Sequence, residues 1–242
     1  MRIAFITDLH IGLEGEDTYG VDVRANFLNA LETAREFNPD LMVLGGDLCY
    51  SEGDEQVYHW VKACMDAQGI PYEVIGGNHD ITALLAGVFY PHHTLHDNCL
   101  FFTREIDHRK LLFLDTVAGE ISPQQMLWLE EQLASATGEL VVFMHHPPVL
   151  AGVPFMDQRY ALVNWQEVWR LFLAFPFPIH IFTGHYHVDK VIRRQSVTVY
   201  LTPSCFFQID PHAEPFKVDH YRIGFREIEW DAEGIMTTVR YL

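Results

Sequence analysis

Five short apolar segments of this chain each end in residues that can bind a metal ion. In chain order, the endings are Asp8-Leu9-His10, Gly46-Asp47, Gly77-Asn78-His79-Asp80, His145-His146 and Gly184-His185-Tyr186-His187. Short apolar runs bounded by such residues are typical of buried β-strands, and open α/β sheets bind ligands at the carboxyl ends of their strands. The pattern therefore predicts that side chains from five distant segments meet at one edge of a sheet.

The segments between the first three endings predict a layered α/β fold. Helical periodicity over residues 22–37 and 55–67 separates three predicted strands, residues 1–6, 41–44 and 72–75. Two successive βαβ steps imply parallel strands joined by right-handed crossovers.

The remaining sequence predicts one hairpin, two more helices and further strands. The hairpin joins residues 100–104 and 110–114, the helices begin at Ser122-Pro123 and at Trp165, and strands cover residues 140–144 and 179–182. After His187 the pattern is β only, over residues 188–193, 197–201, 205–209, 221–230 and 235–241. Because no linker or repeat divides the chain, we expect one domain over residues 1–242, in which the segment 205–242 completes the fold or covers the site.

The residue types at the five endings favour a particular class of metal site. Mixed carboxylate and imidazole ligands suit Zn, Fe or Mn rather than a thiolate zinc site or an all-oxygen calcium site. The set is too large for one ion, but with one shared carboxylate it suits two ions about 3.5–4 Å apart. Each ending alone is explained as well by a turn or a helix cap. Five such coincidences in this order are the weaker explanation.

The charge of the chain argues against a nucleic acid polymer as partner. Acidic residues outnumber basic residues by 33 to 16, and the formal net charge is −17. Proteins that bind DNA or RNA normally carry a basic face, whereas the densest basic cluster here is the pair Arg193-Arg194. We therefore expect a small anionic partner, with bound metal supplying local positive charge.

The apolar segments and the cysteines indicate a cytoplasmic protein. The first apolar run ends at Asp8 and is too short for a signal peptide. No run approaches the roughly 20 apolar residues of a membrane span, so we expect no membrane partner. The cysteines Cys49, Cys64, Cys99 and Cys205 form no C-x-x-C motif, and reduced thiols are the expectation.

As a set, the five endings resemble the signature of the calcineurin-like metallophosphoesterases, which reads D-x-H, G-D, G-N-H-[DE], H and G-H-x-H. All five blocks are present without substitution, and the match extends from Ile3 to Ser204. The resemblance implies a four-layer α/β/β/α sandwich. It also implies a phosphoesterase with two metal ions, Fe, Mn or Zn, as cofactors.

The resemblance further implies how the ligands divide between the ions. It assigns Asp8, His10, Asp47 and His187 to one ion, and Asp47, Asn78, His145 and His185 to the other. Asp47 would bridge, because a carboxylate has two oxygens and a full charge. A water held between the ions would ionise near neutral pH and attack the phosphorus.

Three residues that lie close in sequence to predicted ligands have two interpretations each. We expect His79 to lie beside the phosphate, where it would stabilise charge on a phosphoryl oxygen or protonate the leaving group. Asp80 would orient His79, or it would cap a helix that starts at Ile81. His146 would support the ligand His145, or it would replace His145 as ligand.

Within this family, less specific sequence features make the chain resemble the class III cyclic nucleotide phosphodiesterases and their glycerophosphodiesterase relatives. These features are the His145-His146-Pro147-Pro148 segment with the residues 152–157 that follow, Leu162-x-Asn164, and Thr202-Pro203-Ser204. We therefore expect hydrolysis of a small phosphodiester. A phosphomonoesterase or broad phosphatase, and a metal-binding scaffold without activity, are the alternatives.

Two segments remain open. His92, His93 and His96 are predicted to be solvated surface rather than part of the substrate entrance. Within residues 205–220, Phe206-Phe207 and Phe216 would cover the mouth of the site or form a contact between copies. The oligomeric state is open, with a homo-oligomer among the expected forms.

Overall fold

The computed structural model describes all 242 residues and contains thirteen strands and six helices. The strands are β1 (Arg2–Ile6), β2 (Leu41–Gly45), β3 (Tyr72–Ile75), β4 (Phe102–Ile106), β5 (Arg109–Phe113), β6 (Leu140–Phe143), β7 (Ile179–Thr183), β8 (Lys190–Arg194), β9 (Val197–Leu201), β10 (Gln208–Ile209), β11 (Val218–His220), β12 (Gly224–Trp230) and β13 (Ile235–Tyr241). The helices are α1 (Val23–Glu36), α2 (Glu55–Asp66), α3 (Thr82–Phe89), α4 (Pro123–Ser135), α5 (Pro154–Arg159) and α6 (Trp165–Ala174).

Two large mixed sheets form the centre of the molecule. The first has the order β13-β12-β1-β2-β3, and the second has the order β4-β5-β6-β7-β9-β8. Strands β1, β2 and β3 are parallel, as the βαβ pattern predicts. The end of the chain returns to this sheet, where β12 pairs antiparallel with β1.

The two sheets pack face to face through alternate residues of their strands. Successive side chains of a strand point to opposite faces of its sheet. Ile3 and Phe5 of β1 therefore join a buried cluster with Phe113 and Phe143 of the second sheet. Ala4 and the other alternate residues of the strands pack against the helices instead. This arrangement is the predicted α/β/β/α sandwich.

Local capping explains where three of the helices begin. Ser122 accepts a hydrogen bond from the backbone of Gln125, and Pro123 occupies the first turn of α4, as predicted. Asp22 and Asp54 cap α1 and α2 in the same way. Such caps satisfy backbone N–H groups that have no partner within the helix.

Several elements differ from the sequence prediction. Helix α5 lies in a segment for which no helix is predicted, because it is short and lacks a capping side chain. Helix α3 is the helix expected near Ile81 as one of the two alternatives for Asp80, but no side chain caps it. The predicted strand over residues 205–209 is reduced to β10. The predicted hairpin is present and turns at Asp107-His108, both with positive φ. None of the helices combines the length and the apolarity that crossing a membrane requires.

Candidate metal centre

The carboxyl ends of strands from both sheets meet at one place. The residues that follow β1, β2 and β3 in the first sheet approach those that follow β6 and β7 in the second. Three groups of side chains there have ligand atoms within 4.8 Å of one another: Asp8, His10 and His187; Asp47, His145 and His185; and His10, Asp47 and His79. All of these residues are buried except His79, which is half-buried. Apart from Asn78, every residue predicted to bind metal belongs to one of these groups.

Asp47 lies between the two sets of imidazoles. Its Oδ2 atom is 3.3 Å from Nε2 of His145 and 3.7 Å from Nε2 of His10. Its Oδ1 atom accepts a hydrogen bond from the backbone of His79 at 2.9 Å. The carboxylate is therefore placed to contact ions on both sides.

Backbone carbonyl groups orient three of the imidazoles. The contacts are His145 Nδ1 to the Gly45 oxygen at 2.8 Å, His187 Nδ1 to the Phe207 oxygen at 2.8 Å, and His185 Nε2 to the Tyr160 oxygen at 2.9 Å. Because a carbonyl oxygen only accepts hydrogen bonds, the contacting nitrogen of each neutral ring carries the hydrogen. The opposite nitrogen keeps a lone pair, the arrangement that is usual for metal-binding histidines.

One polar atom at the centre lacks a partner within the protein. The Nε2 atom of His145 is fully buried and has no hydrogen-bond partner. The Nε2 atoms of His10 and His187 lie 3.2 Å apart and form a hydrogen bond when one of the two rings carries its hydrogen there. A cation beside Nε2 of His145 would supply the missing partner, and the carboxylate and imidazole donors on both sides of Asp47 fit two metal ions.

Burial controls the protonation of the imidazoles. It lowers the pKa of His10 to about 3 and that of His185 to about 4, so both rings are neutral at pH 7. Burial also lowers the pKa of His145, but the charge and hydrogen bonding of Asp47, the charge of Asp8 and the carbonyl of Gly45 together outweigh it and raise this pKa to about 9. Neutral imidazole is the form that binds metal.

The backbone is strained where these side chains leave it. Asp8, His10, Asp47, His185 and His187 all have positive φ, between 47° and 67°. Non-glycine residues rarely adopt this conformation, and they do so mostly at functional sites that the surrounding fold holds in place. The turns that follow β1, β2 and β7 thus direct side chains toward one centre.

Close packing requires glycine at two motif positions. A Cβ atom on Gly77 would lie 2.7 Å from Nε2 of His145 and would also meet Asp47. A Cβ atom on Gly184 would overlap the side chains of Thr7 and Asp8. The glycines of the G-N-H and G-H-x-H blocks therefore make room for neighbouring ligand residues.

His79 and Asn78 lie at the surface of the same centre. Both line a cleft of about 700 Å³ together with His10, Asp47 and His185. The Nδ1 atom of His79 is 3.2 Å from the carbonyl oxygen of Ser51, which leaves Nε2 available for a ligand. Asn78 is exposed, so its side chain is accessible from the cleft.

Asp80 differs from both sequence expectations. It is buried, and its carboxylate accepts hydrogen bonds from the backbone of Leu48, Cys49 and Gly77 and from the hydroxyl of Tyr58. None of these contacts reaches the ring of His79, and α3 has no side-chain cap. Asp80 instead ties the loop after β2 to the turn after β3, because a buried carboxylate needs several donors.

His146 packs against a candidate ligand of the centre. Its Nδ1 atom lies 2.9 Å from the hydroxyl of Thr116, and its ring centroid is 4.0 Å from that of His185. It belongs to none of the groups of candidate ligands. This geometry favours His145 as ligand and His146 as support for His185.

Several contributors to the site have a weak sequence signal or none. Ser204 donates a hydrogen bond to the backbone oxygen of Asp8, and its only sequence signal is the Thr202-Pro203-Ser204 motif. Phe206, Phe207 and Phe216 line the cleft, in agreement with the alternative that they cover the mouth of the site. The sequence does not predict the other aromatic residues that line the cleft: Tyr19, Tyr50, Phe155 and Tyr160. Residues this distant in sequence share no local pattern. His92, His93 and His96 are exposed and line no part of the cleft, which confirms their prediction as surface residues.

Known proteins with similar sequences are consistent with this centre. A probable cyclic nucleotide phosphodiesterase of Fibrobacter succinogenes is 36% identical over 241 residues, which cover 100% of this chain and 93% of the relative. The 3′,5′-cyclic adenosine monophosphate phosphodiesterase CpdA of Escherichia coli is 28% identical over 250 residues, which cover 98% of this chain and 88% of the relative.

The fold also has a counterpart among solved structures. A dimetal phosphatase from Danio rerio superposes with a TM-score of 0.70 at 13% identity, covering 98% of both chains. The sequence profile of the calcineurin-like phosphoesterases matches residues 1–189. The chain therefore belongs to the calcineurin-like phosphoesterase family, a family of metal-dependent hydrolases.

Proposed function

We propose that this protein is a dinuclear metal phosphodiesterase that hydrolyses 3′,5′-cyclic nucleotides. The observation that carries the metal requirement is the position of Asp47 between His145 on one side and His10 on the other. The substrate class rests on the relatives from Fibrobacter succinogenes and Escherichia coli, which match this chain along its length.

The proposed ligand sets extend two of the groups of neighbouring side chains: Asp47 is added to the group of Asp8, His10 and His187, and Asn78 is added to the group of Asp47, His145 and His185. Asp8, His10, Asp47 and His187 would hold one ion, and Asp47, Asn78, His145 and His185 would hold the other. Two bound ions would neutralise the phosphate and lower the pKa of water to near neutrality. Fe, Mn and Zn all suit the donor types.

His79 is the proposed acid–base residue of the protein. Its Nδ1 atom is held by the carbonyl of Ser51, so Nε2 acquires a proton only in the imidazolium form. That form would donate to a phosphoryl oxygen or to the departing ribose oxygen. Because it would lie beside the charge that develops on the ester, it would stabilise the transition state.

The charges in the cleft favour a small anionic ester. None of the residues that line the cleft is Lys or Arg, and the net charge of the chain is −17. Attraction for an anion would therefore come mainly from the bound metal ions. A small soluble substrate also agrees with the proposed cytoplasmic location, for which the four free cysteines are the support.

A substrate panel tests the proposal. Protein reconstituted separately with Mn, Fe and Zn would be assayed with cyclic AMP, cyclic GMP, glycerophosphoethanolamine and p-nitrophenyl phosphate. We expect kcat/KM for the cyclic nucleotides to exceed that for the other two substrates by about tenfold or more. A preference for the monoester or for the glycerophosphodiester would contradict it. An Asp47→Ala variant, purified in parallel, controls for contaminating hydrolases.

A further inference from the structure

Beside the candidate metal ligands, the cleft is lined by a continuous cluster of aromatic rings. We call Tyr19, Phe206, Phe207, Phe216 and Phe155 the aromatic wall. Ring centroids are 4.2 Å apart for Phe206 and Phe207, 5.5 Å for Tyr19 and Phe207, 5.8 Å for Phe207 and Phe216, and 5.5 Å for Phe155 and Phe216. The wall brings together segments that lie far apart in the sequence.

The wall has a buried base and exposed outer rings. Phe206 and Phe207 are 2% and 6% exposed, whereas Tyr19 and Phe216 are 56% and 40% exposed. Large apolar side chains that remain exposed around a concave surface are typical of a binding site. The outer rings therefore offer free faces to a ligand, and the inner rings hold them in place.

The wall directly adjoins the candidate metal ligands. The ring of Phe206 lies 5.1 Å from that of His10, and the ring of Phe207 lies 5.4 Å from that of His187. The backbone oxygen of Phe207 also contacts Nδ1 of His187 at 2.8 Å. A phosphate ester bound at these histidines would therefore place its neighbouring group against the rings.

The chemistry of the wall selects the kind of group that fits there. Rings attract flat aromatic groups by stacking, whereas a small hydroxylated group such as glycerol needs hydrogen-bond partners to replace water. Stacking on aromatic side chains is a general mode of nucleobase recognition. The cleft volume of about 700 Å³ also lies in the range for small-molecule sites.

We propose that the aromatic wall binds the base of the cyclic nucleotide by stacking, with Tyr19 and Phe216 as the residues that determine preference for a nucleotide. This inference rests on the proposed function, because it requires that the phosphate be bound at the metal centre. It adds the recognition of the part of the substrate that lies beyond the phosphate.

The test compares two diesters that differ only in the base. Cyclic AMP would be assayed beside methyl riboside 3′,5′-cyclic phosphate, which has the same ring and phosphate but no base. In the wild-type protein, we expect KM to be about tenfold or more lower for cyclic AMP, since a tenfold difference corresponds to about 1.4 kcal/mol. Alanine substitution of a stacking residue has an effect of this order.

Two variants test whether the aromatic wall causes the lower KM for cyclic AMP. Tyr19→Ala and Phe216→Ala should each raise KM for cyclic AMP about tenfold, and they should raise KM for the abasic diester much less, because that diester has no base to stack. Tyr19→Phe keeps the ring and should retain the wild-type KM. The matched control is Phe177→Ala, because Phe177 is 37% exposed but lies outside the cleft. It should alter neither KM, and thermal melting would verify that each variant is folded.

Equal KM values for the two diesters in the wild-type protein would overturn the base-binding role and leave phosphodiester hydrolysis intact. The base-binding role would also be overturned if the variants raised KM for both diesters by the same factor. Failure of the proposed function looks different, because the wild-type protein would then hydrolyse neither diester.

Discussion

The Nε2 atom of His145 lies 3.3 Å from Oδ2 of Asp47, in a place where it has no hydrogen-bond partner. His145 follows β6 in the second sheet and Asp47 follows β2 in the first, so the contact joins the two sheets at their carboxyl edges. A buried imidazole beside a buried carboxylate is costly unless further charge or hydrogen bonds compensate. A metal ion shared by the two side chains would provide that compensation.

Substitution of Gly77 by Ala should disrupt the centre. The new Cβ atom would lie 2.7 Å from Nε2 of His145, so the turn after β3 would have to shift. We expect the variant to lose about 1–3 kcal/mol of stability, as is typical of overpacking, and most of its activity. Thermal melting and cyclic nucleotide hydrolysis measure the two effects.

Gly87→Ala is the matched control for Gly77→Ala. Gly87 lies within α3, and a Cβ atom there meets nothing within 4 Å. The substitution should stabilise the protein by about 0.5–1 kcal/mol, because alanine favours a helix more than glycine does. Full activity and an unchanged melting temperature in Gly77→Ala would show that the turn is not tightly packed.

Asp80→Asn should weaken the centre without removing a proposed ligand. Both carboxylate oxygens of Asp80 accept hydrogen bonds, so the amide group of Asn would face donors such as the N–H of Gly77. We expect a loss of about 1–3 kcal/mol in stability and a roughly tenfold lower metal affinity. Denaturant unfolding and metal titration provide the readouts.

The control for this substitution is Asp54→Asn at the start of α2. Asp54 accepts hydrogen bonds from the backbone of Gln56 and Val57, and Asn is an equally good helix cap. The prediction is contradicted if the two Asp→Asn variants are equally stable and bind metal equally well.

His79→Ala should remove activity while the ions remain bound. A positioned acid–base residue contributes about 10²–10⁴-fold to the rate, so kcat should fall by that factor. Metal content should not change, because the proposed ligand sets are complete without His79. His59→Ala, on the exposed surface of α2, is the control. Loss of one ion in His79→Ala would instead identify His79 as a metal ligand, in line with its position near His10 and Asp47.

Metal binding should release a proton from His145. Asp47, Asp8 and the carbonyl of Gly45 together outweigh burial and raise the pKa of His145 to about 9, so the metal-free ring is protonated at pH 7.5. An ion at Nε2 requires the neutral ring, and about one proton should therefore leave the ring. This release should disappear as the pH rises above about 9, whereas a water between the ions would release its proton at both pH values.

Calorimetric titration with Mn²⁺ in Tris and in HEPES measures this release. The buffers have different ionisation enthalpies, so the difference between the observed heats measures the number of protons released. This number should be about one lower above pH 9 than at pH 7.5. Identical heats in both buffers at pH 7.5 would rule out proton release from His145.

The position of the candidate ligands could be predicted because it depends on a simple rule. Asp8 and Asp47 follow parallel strands, and the carboxyl ends of parallel strands share an edge. Their positive φ values could not be predicted, because Asp rarely adopts this conformation without support from the surrounding fold.

Local sequence patterns do not predict the contacts of Asp80 or the contacts within the aromatic wall. Asp80 is next to His79 in the chain, yet its hydrogen bonds reach Leu48 and Cys49 across the sheet edge. Tyr19 meets Phe207 only because the whole fold brings their loops together. Periodicity identifies buried faces of strands and helices, but it does not specify which loops meet above a sheet.

One carboxylate, Asp47, is proposed to support two metal ions that are both needed for hydrolysis. Mass spectrometry would give the metal content per chain of protein titrated with Mn²⁺, and cyclic AMP hydrolysis would be followed at each point. We expect saturation at two ions per chain, with activity appearing as the second ion binds, and the loss of both ions in Asp47→Ala. Full activity at one ion per chain, or two ions retained in Asp47→Ala, would contradict this proposal.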